Sequence, residues 1–272
     1  MLRRDPVVAA VEENVVEWTR LKGSLPGVEL HDDGDVVWTC SRRPGRGGAV
    51  SGACFSEANA DDRIAAILGV YRRKLEPTVW WTGPISGPED LGRRLSAAGL
   101  ECQRQMPGMA CDLDVLRDGF PRPDGLRIEP IEDFAVFQKE EHPFFGPATT
   151  IRRRNLVEGV SLMVRREPRT AWHFVATLKG APVGCATIFL AAGVAGLYHV
   201  ATLPWARGRG IGKAVTLAAL EHARGLGIRT AILHSSQEGE PVYRRLGFEE
   251  VCKVSHWYYS KSRQMRQRLG GR

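Results

Sequence analysis

The stretch Arg207-Gly208-Arg209-Gly210-Ile211-Gly212-Lys213 decides how this chain is read. Before it runs an apolar, strand-like segment, Leu197-Tyr198-His199-Val200-Ala201-Thr202. After it, Ile211, Val215, Leu217, Leu220 and Ala223, with Ala214, Ala218 and Ala219 between them, set the period of a helix facing a sheet. Three glycines alternate with cations where the strand gives way to the helix. Glycine has no side chain, so bare backbone N–H groups can come close to an anion there. The helix N-terminus adds about half a positive charge aimed at the same point. A diphosphate is the natural guest. The dinucleotide pattern G-x-G-x-x-G fails on its last spacing. The Walker loop fails because Ala214, not Ser or Thr, follows Gly212-Lys213, leaving Mg²⁺ no hydroxyl ligand.

Working outward, Thr230-Ala231-Ile232-Leu233-His234 reads as a buried strand, Glu240–Leu246 as a short helix and Glu249–Tyr259 as a last strand. Upstream, strands are expected at Leu126–Glu129, Trp172–Leu178 and Val183–Leu190, with Lys179-Gly180 as a hairpin turn. Helical stretches are expected over 131–141 and from Thr150, broken by His142-Pro143-Phe144-Phe145-Gly146. Ala181–Trp205 carries no formal charge and is long enough to span a bilayer. Its middle, Ala191-Ala192-Gly193-Val194-Ala195-Gly196, is turn-like, so two buried strands fit better than one helix.

The first half is expected to hold helices at Val7–Leu21, Asp61–Lys74 and Pro88–Ala98. Its strands fall at Asp35–Cys40, Ala49–Phe55, Thr78–Thr82, Glu101–Gln105 and Met109–Leu113. Gly119–Gly125, rich in Pro and Gly, divides the chain into residues 1–120 and 121–272. A faint repeat links the halves: Arg93-Arg94-Leu95 with a following Gly99-Leu100, and Arg244-Arg245-Leu246 with Gly247-Phe248. Laying the two Arg-Arg-Leu triplets together puts Gly92 where Tyr243 stands.

At 272 residues the chain has room for two domains, and 43% hydrophobic with 25% charged residues is ordinary for a globular protein. The net charge is +7 and unevenly spread. Residues 1–120 hold 15 basic and 18 acidic side chains (net −3), and the rest hold 23 and 13 (net +10). The cationic half is expected to meet something anionic. No nucleic-acid motif accompanies it, and the basic stretch Lys261–Arg272 is expected to be a solvated tail. The six cysteines form no C-x-x-C pair and have no His cluster, so neither a zinc site nor a disulfide framework is expected. The N-terminus has no signal-peptide pattern, and a cytoplasmic location is expected.

Arg207-x-x-Gly210-x-Gly212 resembles the acyl-CoA signature, Gln/Arg-x-x-Gly-x-Gly/Ala, of the GNAT superfamily of N-acetyltransferases. Tyr243-Arg244-Arg245-Leu246-Gly247-Phe248 resembles that family's second signature. The likeness covers about the last 150 residues. It implies an α/β fold of mixed α+β type, which the repeat extends to two tandem lobes. Each lobe would be a mixed, mainly antiparallel sheet flanked by helices, with splayed parallel strands at the CoA site of the C-terminal lobe. Residues 121–272 would be the catalytic domain, and 1–120 a degenerate lobe without a CoA motif.

The resemblance also implies residue roles. The amides of Gly208, Arg209, Gly210, Ile211, Gly212 and Lys213, with Arg207 bracing the loop, would hold the CoA pyrophosphate. The backbone of Val200, Ala201 and Thr202 would line the pantetheine arm, with Ser235 and Ser236 near it. Tyr243 would be the general acid that protonates the departing thiolate. The function implied is acetyl-CoA-dependent transfer to a primary amine of a small molecule or peptide by direct attack in a ternary complex. A non-catalytic acyl-CoA sensor of the same fold is the alternative. No metal, nucleic acid or membrane partner is expected, and the protein would be a monomer or homodimer.

The general base is left open. His199 has a suitable ordinary pKa, near about 6.5. Strict alternation, however, places His199 with Ala201 on one face and Tyr198, Val200 and Thr202 on the other, unless a bulge intervenes. A core histidine therefore remains an open reading for it. Glu140, Glu141 and His142 are second candidates.

Overall fold

The structure, a computed structural model, describes residues 5–42, 47–116, 120–131 and 168–259. Glu140, Glu141, His142, the helical stretches expected around them and the basic C-terminal stretch lie outside the described residues. The chain forms two compact units, Met1–Met106 with Cys252–Arg272, and Pro107–Val251.

In the first unit α1 spans Pro6–Lys22, α2 Ala60–Lys74 and α3 Leu91–Ala97. The strands are β1 (Val28–Asp32), β2 (Val37–Ser41), β3 (Gly48–Ser51), β4 (Thr78–Thr82) and the start of β5 (Glu101–Asp112). The second unit continues β5 and adds β6 (Leu126–Pro130), β7 (Ala171–Leu178), β8 (Ala181–Ala191), β9 (Val194–Thr202) and β10 (Thr230–His234). Among its described residues the helices are α4 (Ile211–Gly225) and α5 (Glu240–Leu246), and β11 (Glu249–Tyr259) follows.

The strand order is β1-β2-β3-β4-β11 in the first unit and β5-β10-β9-β8-β7-β6 in the second. Most neighbours are antiparallel; β3–β4 and β9–β10 are parallel. Each unit thus contains one strand–helix–strand crossover, β3–α2–β4 and β9–α4–β10. After each comes a short helix and a closing strand. The closing strands are exchanged: Ser255–Tyr259 of β11 lie antiparallel to β4, and Gly108–Asp112 of β5 lie antiparallel to β10. The expected lobes, 1–120 and 121–272, differ from the compact units by these exchanged segments.

Two differences from the expected strands have local causes. Glu101–Gln105 and Met109–Leu113 are one strand, β5, continuous through Pro107-Gly108. Pro107 has no N–H to give to a ladder, yet its carbonyl accepts from Ser235 N–H at 3.0 Å. β1 is not among the expected strands: Val28 and Leu30 alternate with polar residues over only five positions, and both faces are partly exposed, in the pattern of an edge strand. The uncharged stretch 181–205 is the hairpin β8–β9, turned at Ala192-Gly193 with φ of 54° and 72°. Among the described residues no helix is long and apolar enough to cross a membrane.

One face of the second unit's sheet packs on α4. Phe174, Ile188, Leu197 and Leu233 share a core with Val215 and Leu220. Alanines 214, 219 and 223 are buried between them and let the helix approach the strands closely. Burying each of these leucines contributes roughly 2 kcal/mol. Alternation sends His173, Thr187, Tyr198 and His234 to the opposite face.

In the first unit α1 covers the ends of the parallel pair. A Cβ on Gly52, just after β3, would lie 2.7 Å from Val16 Cγ2. The loop after β4 closes on buried Glu12, whose carboxylate accepts from the N–H groups of Ile85 (2.8 Å) and Ser86 (3.1 Å) and from the Ser86 hydroxyl. Elsewhere in that unit Glu29, His31 and Cys40 bring possible ligand atoms within 4.8 Å of one another. The Lys74 ammonium already sits among them, 3.0 Å from Glu29 and 3.2 Å from Cys40 Sγ.

Candidate active site

The parallel pair β9–β10 is in register from Ala195/Ala231 to Leu197/Leu233, and there the ladder stops. Beyond Leu197, β9 runs five more residues, to Thr202, past the end of that register. Peptide groups of Val200–Thr202 lie outside the β9–β10 register and can bind an extended ligand as an added strand would.

A bulge falls in this segment. Across β8, Thr187 pairs with Tyr198 and Cys185 with Ala201, so His199 and Val200 together oppose Ala186. His199 takes φ = 52°, the left-handed conformation that usually needs glycine. Its carbonyl accepts from Cys185 Sγ at 3.4 Å. The extra residue resets the alternation. Val200 packs with the core under α4, as Leu197 does three positions earlier. Tyr198 therefore does not share Val200's side, as strict alternation requires. His199 lies within the distortion itself.

The glycine loop follows a single 3₁₀ turn, Pro204–Ala206. Gly208 and Gly210 have φ of 75° and 80°, and Gly210 is the N-cap of α4 without any side-chain cap. The first amides of the helix, at Ile211, Gly212 and Lys213, have no intrahelical acceptor. A Cβ on Gly212 would lie 3.1 Å from Thr202 Oγ1, so a side chain there would crowd the cradle. Arg207 folds back and donates from Nε to the Thr202 carbonyl at 3.2 Å, joining the loop to the end of β9. Lys213 Nζ sits 3.4 Å from the centre of the Phe120 ring. Arg209 and both flanking glycines are exposed.

Beyond β10, Ser235 is buried, donates its hydroxyl to the Ser236 carbonyl at 2.8 Å and uses its N–H on Pro107. Ser236 Oγ accepts from Gly239 N–H at 3.1 Å. Gly239 is the floor beneath Tyr243: a Cβ there would lie 2.9 Å from Tyr243 Cε2 and within 3.4 Å of both serine hydroxyls. Tyr243 is half-buried and meets Phe248 edge-on, with ring centres 5.9 Å apart. Burial pushes its phenol up to about 12, so the hydroxyl keeps its proton across the neutral range. Burial also raises Tyr198.

The structure thus brings Tyr243, Ser235 and Ser236 together, and ties Arg207 to Thr202. Sequence reasoning did not single out Phe120 or Gly239, which touch Lys213 and Tyr243. Gly239 stands four residues before Tyr243, the helical spacing that signals contact. Phe120 has no sequence signal, because its partner is 93 positions away.

The segment that holds the glycine cradle and the β9–β10 pair matches a described family. The model of the "Acetyltransferase (GNAT) domain" matches residues 169–250. This stretch is similar to a GNAT acetyltransferase domain. A mycothiol acetyltransferase from Saccharomonospora viridis is 47% identical over 58 residues, 20% of this chain and 19% of that protein. The chain therefore matches about a fifth of that relative's length. A mycothiol acetyltransferase from Actinosynnema mirum is 27% identical over 232 residues, 79% of this chain and 72% of that protein. A GCN5-related N-acetyltransferase from Kribbella flavida has a similar fold along nearly the whole chain. Its TM-score is 0.69 at 19% identity, covering 92% of this chain and 95% of that one. The architecture is two tandem GNAT-like lobes. The GNAT fold family uses acetyl-CoA, and the glycine cradle described above fits its diphosphate.

Proposed function

We propose that this protein is an acetyl-CoA-dependent N-acetyltransferase that acetylates a primary amine of a small molecule or peptide in a ternary complex. The observation that carries the reading is the end of the β9–β10 ladder at Leu197/Leu233, followed along the chain by the glycine cradle in which Gly208 and Gly210 have positive φ. A single extended ligand with a diphosphate at one end would use both features.

Acetyl-CoA supplies an acyl group activated as a thioester. The amides of Ile211, Gly212 and Lys213 would hold its diphosphate, while Arg207 keeps the loop against β9. The edge of β9 at Val200–Thr202 would align the pantetheine arm. The same backbone amides would polarise the thioester carbonyl. Tyr243, held protonated by burial, would donate its proton to the leaving thiolate. The relatives' name, mycothiol acetyltransferase, puts small-molecule amines first in an acceptor panel.

The test is thermal unfolding with acetyl-CoA, followed by release of CoA thiol across the amine panel. Ligand at 100 times its Kd should stabilise the protein by about 2.7 kcal/mol. Gly210→Glu should remove both the stabilisation and the turnover. No stabilisation by any acyl-CoA would sink the reading.

A further inference from the structure

On the sheet face away from α4, four polar side chains form one straight row across four adjacent strands. His173 of β7 is paired with Thr187 of β8, and Thr187 with Tyr198 of β9. Tyr198 lies next to His234 of β10, one step past the last paired residues, Leu197 and Leu233. The contacts follow the register. His173 Nδ1 and Thr187 Oγ1 are 2.7 Å apart, and both residues are buried. The rings of Tyr198 and His234 meet edge-on with centres 6.1 Å apart.

Apolar residues surround the row on this face, among them Val175, Phe189 and Ile232. Polar groups in such a setting cost free energy unless they are paired. His173 and Thr187 meet that cost by pairing with each other. The row ends where β9 and β10 part. The thioester must sit at that apex if the diphosphate is held at Gly208–Gly212 and the ligand runs along β9. His234 is the row's only member on the strand that diverges, and it precedes the Ser235–Gly239 loop that holds Tyr243. It thus stands on the same short segment as the general acid's support, but on the strand rather than the helix.

Resting on the transferase reading above, we infer that His234 is the catalytic base that takes the proton from the acceptor amine, with Tyr198 positioning it. The amine nitrogen bonds to the acetyl carbon as the carbon–sulfur bond breaks. One amine proton passes to the His234 imidazole, and the thiolate takes the proton of the Tyr243 hydroxyl. His234 then releases its proton to solvent and Tyr243 regains one. The net change is amine plus acetyl-CoA giving amide plus CoA thiol, with no other reactant.

The experiment compares wild type, His234→Gln and His234→Ala with acetyl-CoA and an amine that the wild type acetylates. The glutamine variant should lose about 100-fold or more in kcat. Both variants should keep the thermal stabilisation by acetyl-CoA. Added imidazole should restore part of the alanine variant's turnover, which a purely structural histidine would not permit. Diethyl pyrocarbonate labelling, read by peptide mass spectrometry, gives a second measurement: acetyl-CoA should protect His234. Turnover of His234→Gln within threefold of wild type, or labelling of His234 indifferent to acetyl-CoA, overturns the assignment. A variant that does not fold leaves the labelling of wild type to decide. Failure of acetyl-CoA to stabilise the wild type would instead overturn the transferase reading, and this assignment with it.

Discussion

Gly239 lies directly beneath Tyr243, so close that a Cβ on the glycine would be 2.9 Å from Cε2 of the ring. Gly239→Ala should therefore move the ring or the loop, at a cost of about 1–3 kcal/mol in stability. Turnover should fall at least tenfold while acetyl-CoA still stabilises the protein, because the diphosphate cradle lies on a different loop. Thermal shift and CoA-thiol release on the same sample separate the two effects.

Tyr243→Phe keeps the ring and its edge contact with Phe248 but removes the proton. Turnover should drop by roughly 10²–10⁴ with binding of acetyl-CoA unchanged. A sensor would show no such loss. The same variant reports on stability at high pH. The folded state holds the phenol proton up to about 12, against an ordinary value near 10. Between those values the unfolded chain binds fewer protons than the native state, so stability falls as pH rises. The wild type should lose stability relative to Tyr243→Phe across that window, as urea unfolding at pH 9 and pH 11 will show.

His199 is held at φ = 52° by the bulge opposite Ala186. Glycine takes this conformation without strain, and a β-branched residue does not. His199→Val should cost about 1–2 kcal/mol, whereas His199→Gly should fold as well as wild type. If His234 is the base, His199→Gly should also keep most of its turnover. Loss of turnover with intact folding in that variant would return the role to His199.

Glu12 is buried and accepts two backbone N–H groups and one hydroxyl from the loop after β4. Glu12→Ala should leave those donors buried without an acceptor and destabilise the protein by about 2–4 kcal/mol. Glu12→Gln, which keeps an acceptor oxygen, should cost less. Urea denaturation followed by far-UV circular dichroism would rank the two.

The repeat between the halves illustrates the limit of a motif laid on a motif. The matching Arg-Arg-Leu triplets place Gly92 opposite Tyr243. The helix ends place it differently. α3 closes at Gly99 (φ 93°), with Leu100 N–H bonded to the Leu95 carbonyl, and α5 closes at Gly247 (φ 104°), with Phe248 N–H bonded to the Tyr243 carbonyl. Counted from these caps, Leu95 stands where Tyr243 does, and it is fully buried. By either count the first lobe has no hydroxyl at that position. Three residues of slip arise because the triplets sit at different distances from their capping glycines, which only the hydrogen bonds reveal.

Local chemistry sufficed for several features of the second lobe's described residues. The glycine cradle, the α4 period, the turn that divides 181–205 and the Leu-Gly-Phe cap are each set by residues within a few positions of one another, so they can be read along the chain. Long-range pairing decided what remained. The bulge at His199 exists because of the register that β9 keeps with β8, and it moved Val200 away from Tyr198's side. The exchange of β5 and β11 between the units joins partners more than a hundred residues apart. The row His173–Thr187–Tyr198–His234 is invisible along the chain, because each member belongs to a different strand and only the sheet's register sets them side by side.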